Sequence, residues 1–306
     1  MLDRHVCGAV LAALLICAVL YTRHRRTATR PANGKVFVDD HDDRPLLWIY
    51  VPFEFNSRMW WSFYSRSSKC LNKPYQLLCM KSVIDHCKED FDIRIICDTD
   101  LAALLGSVPD LSTIPEPMLS GVRDCLLCRV LAKFGGILVP PDFVAGSSLK
   151  WVWDATPDDR LVCVEGRNAS VTSQENPFSL SPKFMACRRH CKAMQQVADA
   201  FGELVSTNMT ASPIFEGSAS SIIASTQPVV IPAEAVGLST YSGETVTLED
   251  LSGSTEIDFG GPVIGVWLCG RVIASHTAYG WMERMSPAQV LTSNTEMGKI
   301  LLSFSK

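Results

Sequence analysis

Asp142 stands at the end of the short apolar run Ile137-Leu138-Val139, just past Pro140 and Pro141. A carboxylate at the carboxyl end of a buried strand lies where open α/β sheets bind their ligands. Asp98-Thr99-Asp100 is a carboxylate pair at another strand's end, with the oxygen ligands that a divalent ion takes. It also has a structural reading, in which Asp100 caps the helix that starts at Leu101. Asp124, in the apolar stretch ahead of Gly135-Gly136, is the third carboxylate of interest. Cys125-x-x-Cys128 has the spacing of redox and zinc sites, but the apolar helix around it favours two core thiols. Cys187-Arg-Arg-His-Cys191 offers three soft donors, with no fourth ligand at metal spacing elsewhere. His276, beside Tyr279 and Trp281, falls in a stretch that reads as a closing loop. Glu165 and Glu175 are carboxylates that no motif ties to a role. No GxGxxG, P-loop, HExxH or GxSxG pattern occurs, so dinucleotide, NTPase, zinc-protease and α/β-hydrolase readings find no support.

The elements that must position these groups are legible around Asp142. Leu126, Leu127, Val130, Leu131 and Phe134 recur at three- and four-residue spacing, which predicts a helix with one apolar face. Gly135 and Gly136 end it, because glycine takes positive φ without steric cost. Ile137 to Val139 suit a short buried strand, and the two prolines stop its hydrogen-bond ladder.

On these residues the stretch Arg123–Val144 resembles the sugar-nucleotide region of DXD-type glycosyltransferases of the GT-A fold. That family includes fungal Golgi mannosyltransferases and the glucosylating domains of large clostridial toxins. Asp124 matches the family's first aspartate, and Gly135-Gly136 its glycine pair. Asp142 matches the second aspartate of the DXD, which the family uses on its divalent metal. Leu127 stands where the family has an arginine, and Pro140 where it has the first DXD aspartate. FGGILVPPDFV, with PKFMACRRHC and YGWMERMS further on, is most similar to the degenerate glycosyltransferase-like proteins of large DNA viruses. The resemblance covers residues 45–215. It implies an α/β fold of GT-A type with a central, mostly parallel sheet. It also implies a nucleotide-sugar donor near Asp124, Gly135 and Gly136, and a glycan or protein acceptor. Asp142 would act in catalysis by holding Mn2+ or Mg2+. A catalytically silent relative, kept as a virion or membrane component, is the other reading that the replaced DXD aspartate leaves open.

A chain of 306 residues, 47% hydrophobic and 20% charged, can bury a full core. A net charge of −4 without a long basic run argues against nucleic acid as a partner. Its 12 cysteines are too few for a disulfide scaffold, and Cys79, Cys97, Cys163 and Cys269 lie in apolar runs, as core thiols do.

Residues 6–22 form an uncharged apolar run, expected to anchor the chain in a membrane after a short tail at 1–5. A signal peptide is the rival, but no A-x-A site follows. Arg23, Arg25, Arg26 and Arg30 crowd the downstream flank, which by the positive-inside rule places the main domain on the cytosolic side. The lumenal side is the alternative, and there Asn168-Ala-Ser and Asn208-Met-Thr would be glycosylation acceptors. Residues 23–44 read as a polar tether and 45–306 as one domain. Within it, 46–53 is the first strand, and Trp60, Trp61, Phe63 and Tyr64 a buried aromatic helix. CMKSVIDHCKED is a helix, FDIRIICDTDLAALL strand-turn-helix, and LVCVEGRN a strand. The alternation is that of a parallel α/β sheet. Residues 175–205 read as a loop and an amphipathic helix, 217–255 as irregular with a strand at VVIPAEAVG. A hairpin is expected around Gly270, then a final helix capped by Ser286.

Overall fold

The computed structural model describes residues 43–52, 74–170, 172–211, 214–268, 270, 273, 279, 281–282 and 285–304. The expected anchor at 6–22, most of the tether, the Trp60–Tyr64 cluster and His276 lie outside the described residues. No described helix is long and apolar enough to cross a membrane.

The chain runs β1 (Leu46–Tyr50), α1 (Pro74–Cys87), β2 (Asp92–Ile96), α2 (Asp98–Leu105) and α3 (Glu116–Phe134). Next come β3 (Gly136–Val139), β4 (Phe143–Ala145), α4 (Lys150–Asp154), β5 (Val162–Arg167) and β6 (Phe178–Cys187). Then follow α5 (Lys192–Ser206), α6 (Ile214–Ser225), β7 (Val229–Ile231), α7 (Leu248–Ser252) and β8 (Gly265–Trp267). The described chain closes with α8 (Pro287–Thr292) and α9 (Glu296–Ser303).

Six strands form one sheet in the order β2-β1-β3-β6-β5-β7. β1 pairs in parallel with β2 and with β3, and β5 in parallel with β7. β6 alone is reversed, antiparallel to both β3 and β5. The architecture is therefore the α/β, mostly parallel sheet that the sequence predicts. Side chains alternate across it, as the two-residue period of a strand requires. Trp48, Tyr50, Leu138, Met185 and Cys187 pack on one face with α2, α3, α5 and α6. Leu47, Ile49, Ile137, Val139 and Ala186 pack on the other, against α1, α4 and β4. A third cluster sits between α1, the β4–β8 ribbon and α7 to α9.

The predicted helix before the glycines is α3, but its burial is not confined to one face. Nearly every residue from Gly121 to Ala132 is buried, Arg129 being the exception. The sheet covers one side of α3, while α2 and α5 cover the rest. Cys125 and Cys128 are core thiols inside that cluster. Gly135 and Gly136 end the helix at φ 69° and 108°. A Cβ on Gly135 would lie 2.5 Å from the Arg189 backbone nitrogen, and one on Gly136 2.5 Å from the Leu46 carbonyl oxygen. The indole of Trp48 donates to the Gly135 carbonyl at 2.9 Å, pinning the turn to β1.

Three elements differ from the sequence expectation. β6 replaces the loop expected after Glu175, and α6 occupies part of the stretch expected to be irregular. β8, expected to pair within a hairpin around Gly270, pairs antiparallel with β4, which has left the main sheet after Pro140, and most of the hairpin's expected second strand lies outside the described residues. At the C-terminus the expectation holds, since Ser286 Oγ accepts from Gln289 N at 3.2 Å and starts α8.

Candidate active site at the carboxyl edge of the sheet

β1, β2 and β3 are parallel and end at one edge. From β1 the chain crosses to β2 on one side, then returns to β3 on the other, which makes the β1–β3 boundary the switch point of the sheet. Polar side chains from four elements meet there. Tyr50 ends β1, Asp98 opens α2 directly after β2, Ser120, Arg123 and Asp124 lie on the first half of α3, and Lys183 comes from β6.

Arg123 grips Asp98 with two bonds, Nε to Oδ1 at 3.1 Å and Nη2 to Oδ2 at 2.7 Å. The fork-to-carboxylate geometry fixes both planes. The Tyr50 hydroxyl donates to the same Asp98 carboxylate. Burial, then the charge of Asp98, pushes the Tyr50 hydroxyl well above the ordinary tyrosine range, so it keeps its proton. Asp100 turns the other way: its carboxylate accepts from Cys97 N at 2.9 Å, closing the first turn of α2. Cys97, not Asp100, is the cap residue, and Asp100 acts from the third helical position. The two aspartates of this Asp-x-Asp therefore do not converge.

Lys183 reaches Asp124 with Nζ 3.1 and 3.0 Å from its two oxygens, and Ser120 Oγ at 3.4 Å. The Asp124 side chain is 6% exposed, whereas that of Lys183 is 34% exposed, so the lysine is the member of the pair that reaches the surface. A β-bulge sets this up. The β5–β6 register shifts between Cys163 and Glu165, whose partners are Met185 and Leu180. The residues between those partners, Ser181 to Phe184, leave the regular ladder, which gives Pro182 a place in a strand interior and aims Lys183 at α3.

Asp142 lies across the end of β3 and is 8% exposed. Its Oδ1 accepts from Trp267 Nε1 at 3.0 Å, and its Oδ2 accepts from Gly270 N. Its own carbonyl accepts from Leu268 N at 3.1 Å. Burial raises its pKa, while the bonds from Gly270 and Trp267 and the positive charge of Lys183 pull it back. Asp142 thus fastens the chain after β8 to the end of β3. Both of its oxygens are taken up by protein donors, and among the described residues no three His, Cys, Asp or Glu side chains are grouped to hold a metal. These residues do not fit Mn2+ or Mg2+ in the manner that the resemblance implies.

Of the candidates read from the sequence, the structure brings Asp124 and Asp142 to this edge, with Asp98 beside them, whereas the Gly135-Gly136 turn is buried at the opposite, amino end of β3 against Leu46 and Arg189. Glu165 is elsewhere, its Oε2 accepting from Ala233 N at 3.0 Å after β7. Tyr50, Arg123 and Lys183 are functional candidates that sequence reading missed. For Arg123 there was a signal, since it precedes Leu127 by one helical turn and lies on the same face as the position where the family has its arginine. For Lys183 there was none, because β6 itself was not foreseen. A depression on the described surface lies between α3 and α5, bordered by Val122, Leu126, Arg129 and Asp199, and includes none of these groups.

No family model matches the sequence, and no curated protein matches it. Among solved structures, the chain is similar to the PaToxG glycosyltransferase, at 12% identity and a TM-score of 0.36, over 74% of this chain and 79% of that one. A likeness of that extent says nothing about chemistry.

Proposed function

We propose that this chain is a glycosyltransferase-like protein that binds a nucleotide-sugar donor at the carboxyl edge of its sheet. The observation that carries this reading is the meeting of Tyr50, Asp98, Arg123, Asp124 and Lys183 at the β1–β3 switch point. A nucleoside diphosphate carries its charge on phosphate oxygens, and a guanidinium and an ammonium already oriented by carboxylates are groups that stabilise it. In the active form, an acceptor hydroxyl of a glycan or protein takes the sugar, and the nucleoside diphosphate departs with the bonding electron pair.

A second reading is favoured by one observation: both oxygens of Asp142 and both of Asp124 already bond to protein groups. In that reading the edge binds a donor-like ligand, or serves as a docking surface, without transferring anything. Residues 6–22 remain the proposed bilayer anchor, with the domain on the cytosolic face. That much is checked by alkaline extraction, in which the full chain is expected to stay with the membrane and a chain lacking 1–34 to be released.

The test of function is calorimetric titration of the full chain with UDP-sugars and GDP-sugars, followed by product analysis with the donor that binds. Binding plus sugar transfer or donor hydrolysis supports the enzyme; binding without either supports the silent form. A chain that binds no donor of either class refutes the reading.

A further inference from the structure

We infer that donor binding at this edge needs no divalent metal, and that the Lys183 ammonium takes the charge-neutralising place a metal would have on the diphosphate. The inference rests on the donor-binding reading above and goes beyond it in naming the cation.

Three observations carry it. First, the Asp142 carboxylate, at the position where the resembled family binds metal, is enclosed and committed to Trp267 and Gly270. An ion there would have to reach a carboxylate that is 8% exposed and share its oxygens with a buried indole N–H and a backbone N–H. Second, its would-be helper Asp124 holds Lys183 through both oxygens. Third, Lys183 projects from a β-bulge toward α3 and bonds both oxygens of Asp124, so a cation already stands at this carboxylate. It is also the exposed member of its pair, able to turn a proton toward an incoming phosphate oxygen. Arg123, held by Asp98, supplies a second fixed positive charge one helical position from Asp124.

The arrangement has a cost that sets the expected behaviour. Each cation is already paired with a carboxylate, so a dianion gains less from it than from an unpaired cation, and the gain is screened by salt. Binding is therefore expected to be salt-sensitive and indifferent to chelation.

The experiment is calorimetric titration of the full chain with UDP and GDP, in about 5 mM EDTA and separately in about 5 mM Mn2+ or Mg2+, conditions that empty or fill a weak carboxylate site. The expected result is the same affinity in all three, within about twofold. Lys183→Met is expected to weaken binding about tenfold or more. Because that change strands the buried Asp124 carboxylate, the Lys183→Met/Asp124→Asn variant is measured beside it; it keeps the fold without the stranded charge and is expected to lose binding to the same extent. Binding that appears only with metal, or that survives in the double variant, overturns the inference while leaving the donor site in place. No binding in any condition overturns both. Inorganic pyrophosphate serves as the probe of the charge alone, and its affinity is expected to fall in parallel in both variants.

Discussion

Replacing Asp142 by alanine separates a structural clamp from a metal ligand. In the folded protein the substitution leaves Trp267 Nε1 and Gly270 N, both buried, without their acceptor. A buried donor left unsatisfied costs about 1–3 kcal/mol, so two cost roughly 2–6 kcal/mol. Removing the buried carboxylate returns part of this, since burial is the main influence on that group, and a net loss of about 2–4 kcal/mol is expected. For a chain of this size each kcal/mol lowers the melting temperature by about 2 °C, giving a drop of about 4–8 °C. Thermal melts followed by near-UV circular dichroism, in EDTA, provide the measurement. Trp267→Phe and the double variant complete a cycle in which the coupling should be about 1 kcal/mol or more. The pH dependence adds a sign. A carboxyl group whose folded pKa is raised stabilises in its protonated form, fully below the unfolded value and progressively less as pH rises through the folded one. The gap between wild type and Asp142→Ala is therefore expected to narrow as pH rises from about 4 upward. A variant melting within about 1 °C of wild type at every pH, or a coupling near zero, refutes the clamp.

Other outcomes follow from the same contacts. Lys183→Met is expected to lower stability by roughly 1–3 kcal/mol, less than for a fully buried pair because the lysine is partly exposed. The Lys183→Met/Asp124→Asn variant should recover part of that loss in a urea titration, and a double variant weaker than the single would argue against the pair. Gly136→Ala forces a Cβ to 2.5 Å from the Leu46 carbonyl at a positive φ, so it should cost roughly 3 kcal/mol or more; wild-type solubility and melting would contradict the packing of β1 on β3. Burial raises the Cys87 and Cys125 thiols to about 11, so about one molecule in a thousand is thiolate at pH 8. Iodoacetamide should label them in urea and leave them unlabelled in the native chain, as peptide mass mapping can check.

What could be read from the residues was what local signals specify. The apolar helix, its glycine stop and the strand after it follow from spacing and from the one residue type that fits positive φ. β1, β2 and β5 announced themselves as apolar β-branched runs between turn residues. β6 did not, because Pro182 interrupts it, and only the bulge against β5 makes a proline tolerable there. α6 was hidden by the serine-rich composition of its exposed side; its inward residues Phe215, Ala219 and Ile223 are spaced at four. Asp142 marks the limit of local signals most directly. It does stand at the end of a buried strand, but the indole that holds it lies 125 residues further along the chain. Nothing near Asp142 in the sequence tells a clamp from a ligand.

The reversed strand β6 has a consequence for how the molecule is made. Chains emerge N-terminus first and fold as their parts become available. When synthesis has passed β3, the half-sheet β2-β1-β3 can form, but β3 still lacks its second neighbour and Asp124 still lacks Lys183. Both needs are met by one later strand, β6, whose Lys183 closes an ion pair over 59 residues of chain. Until then a strand whose four residues are all buried in the finished protein presents bare backbone to solvent, the template on which strands of other chains add. The order of the sheet thus gives the nascent protein an interval of stickiness between β3 and β6, and any fragment that ends within it keeps that edge permanently.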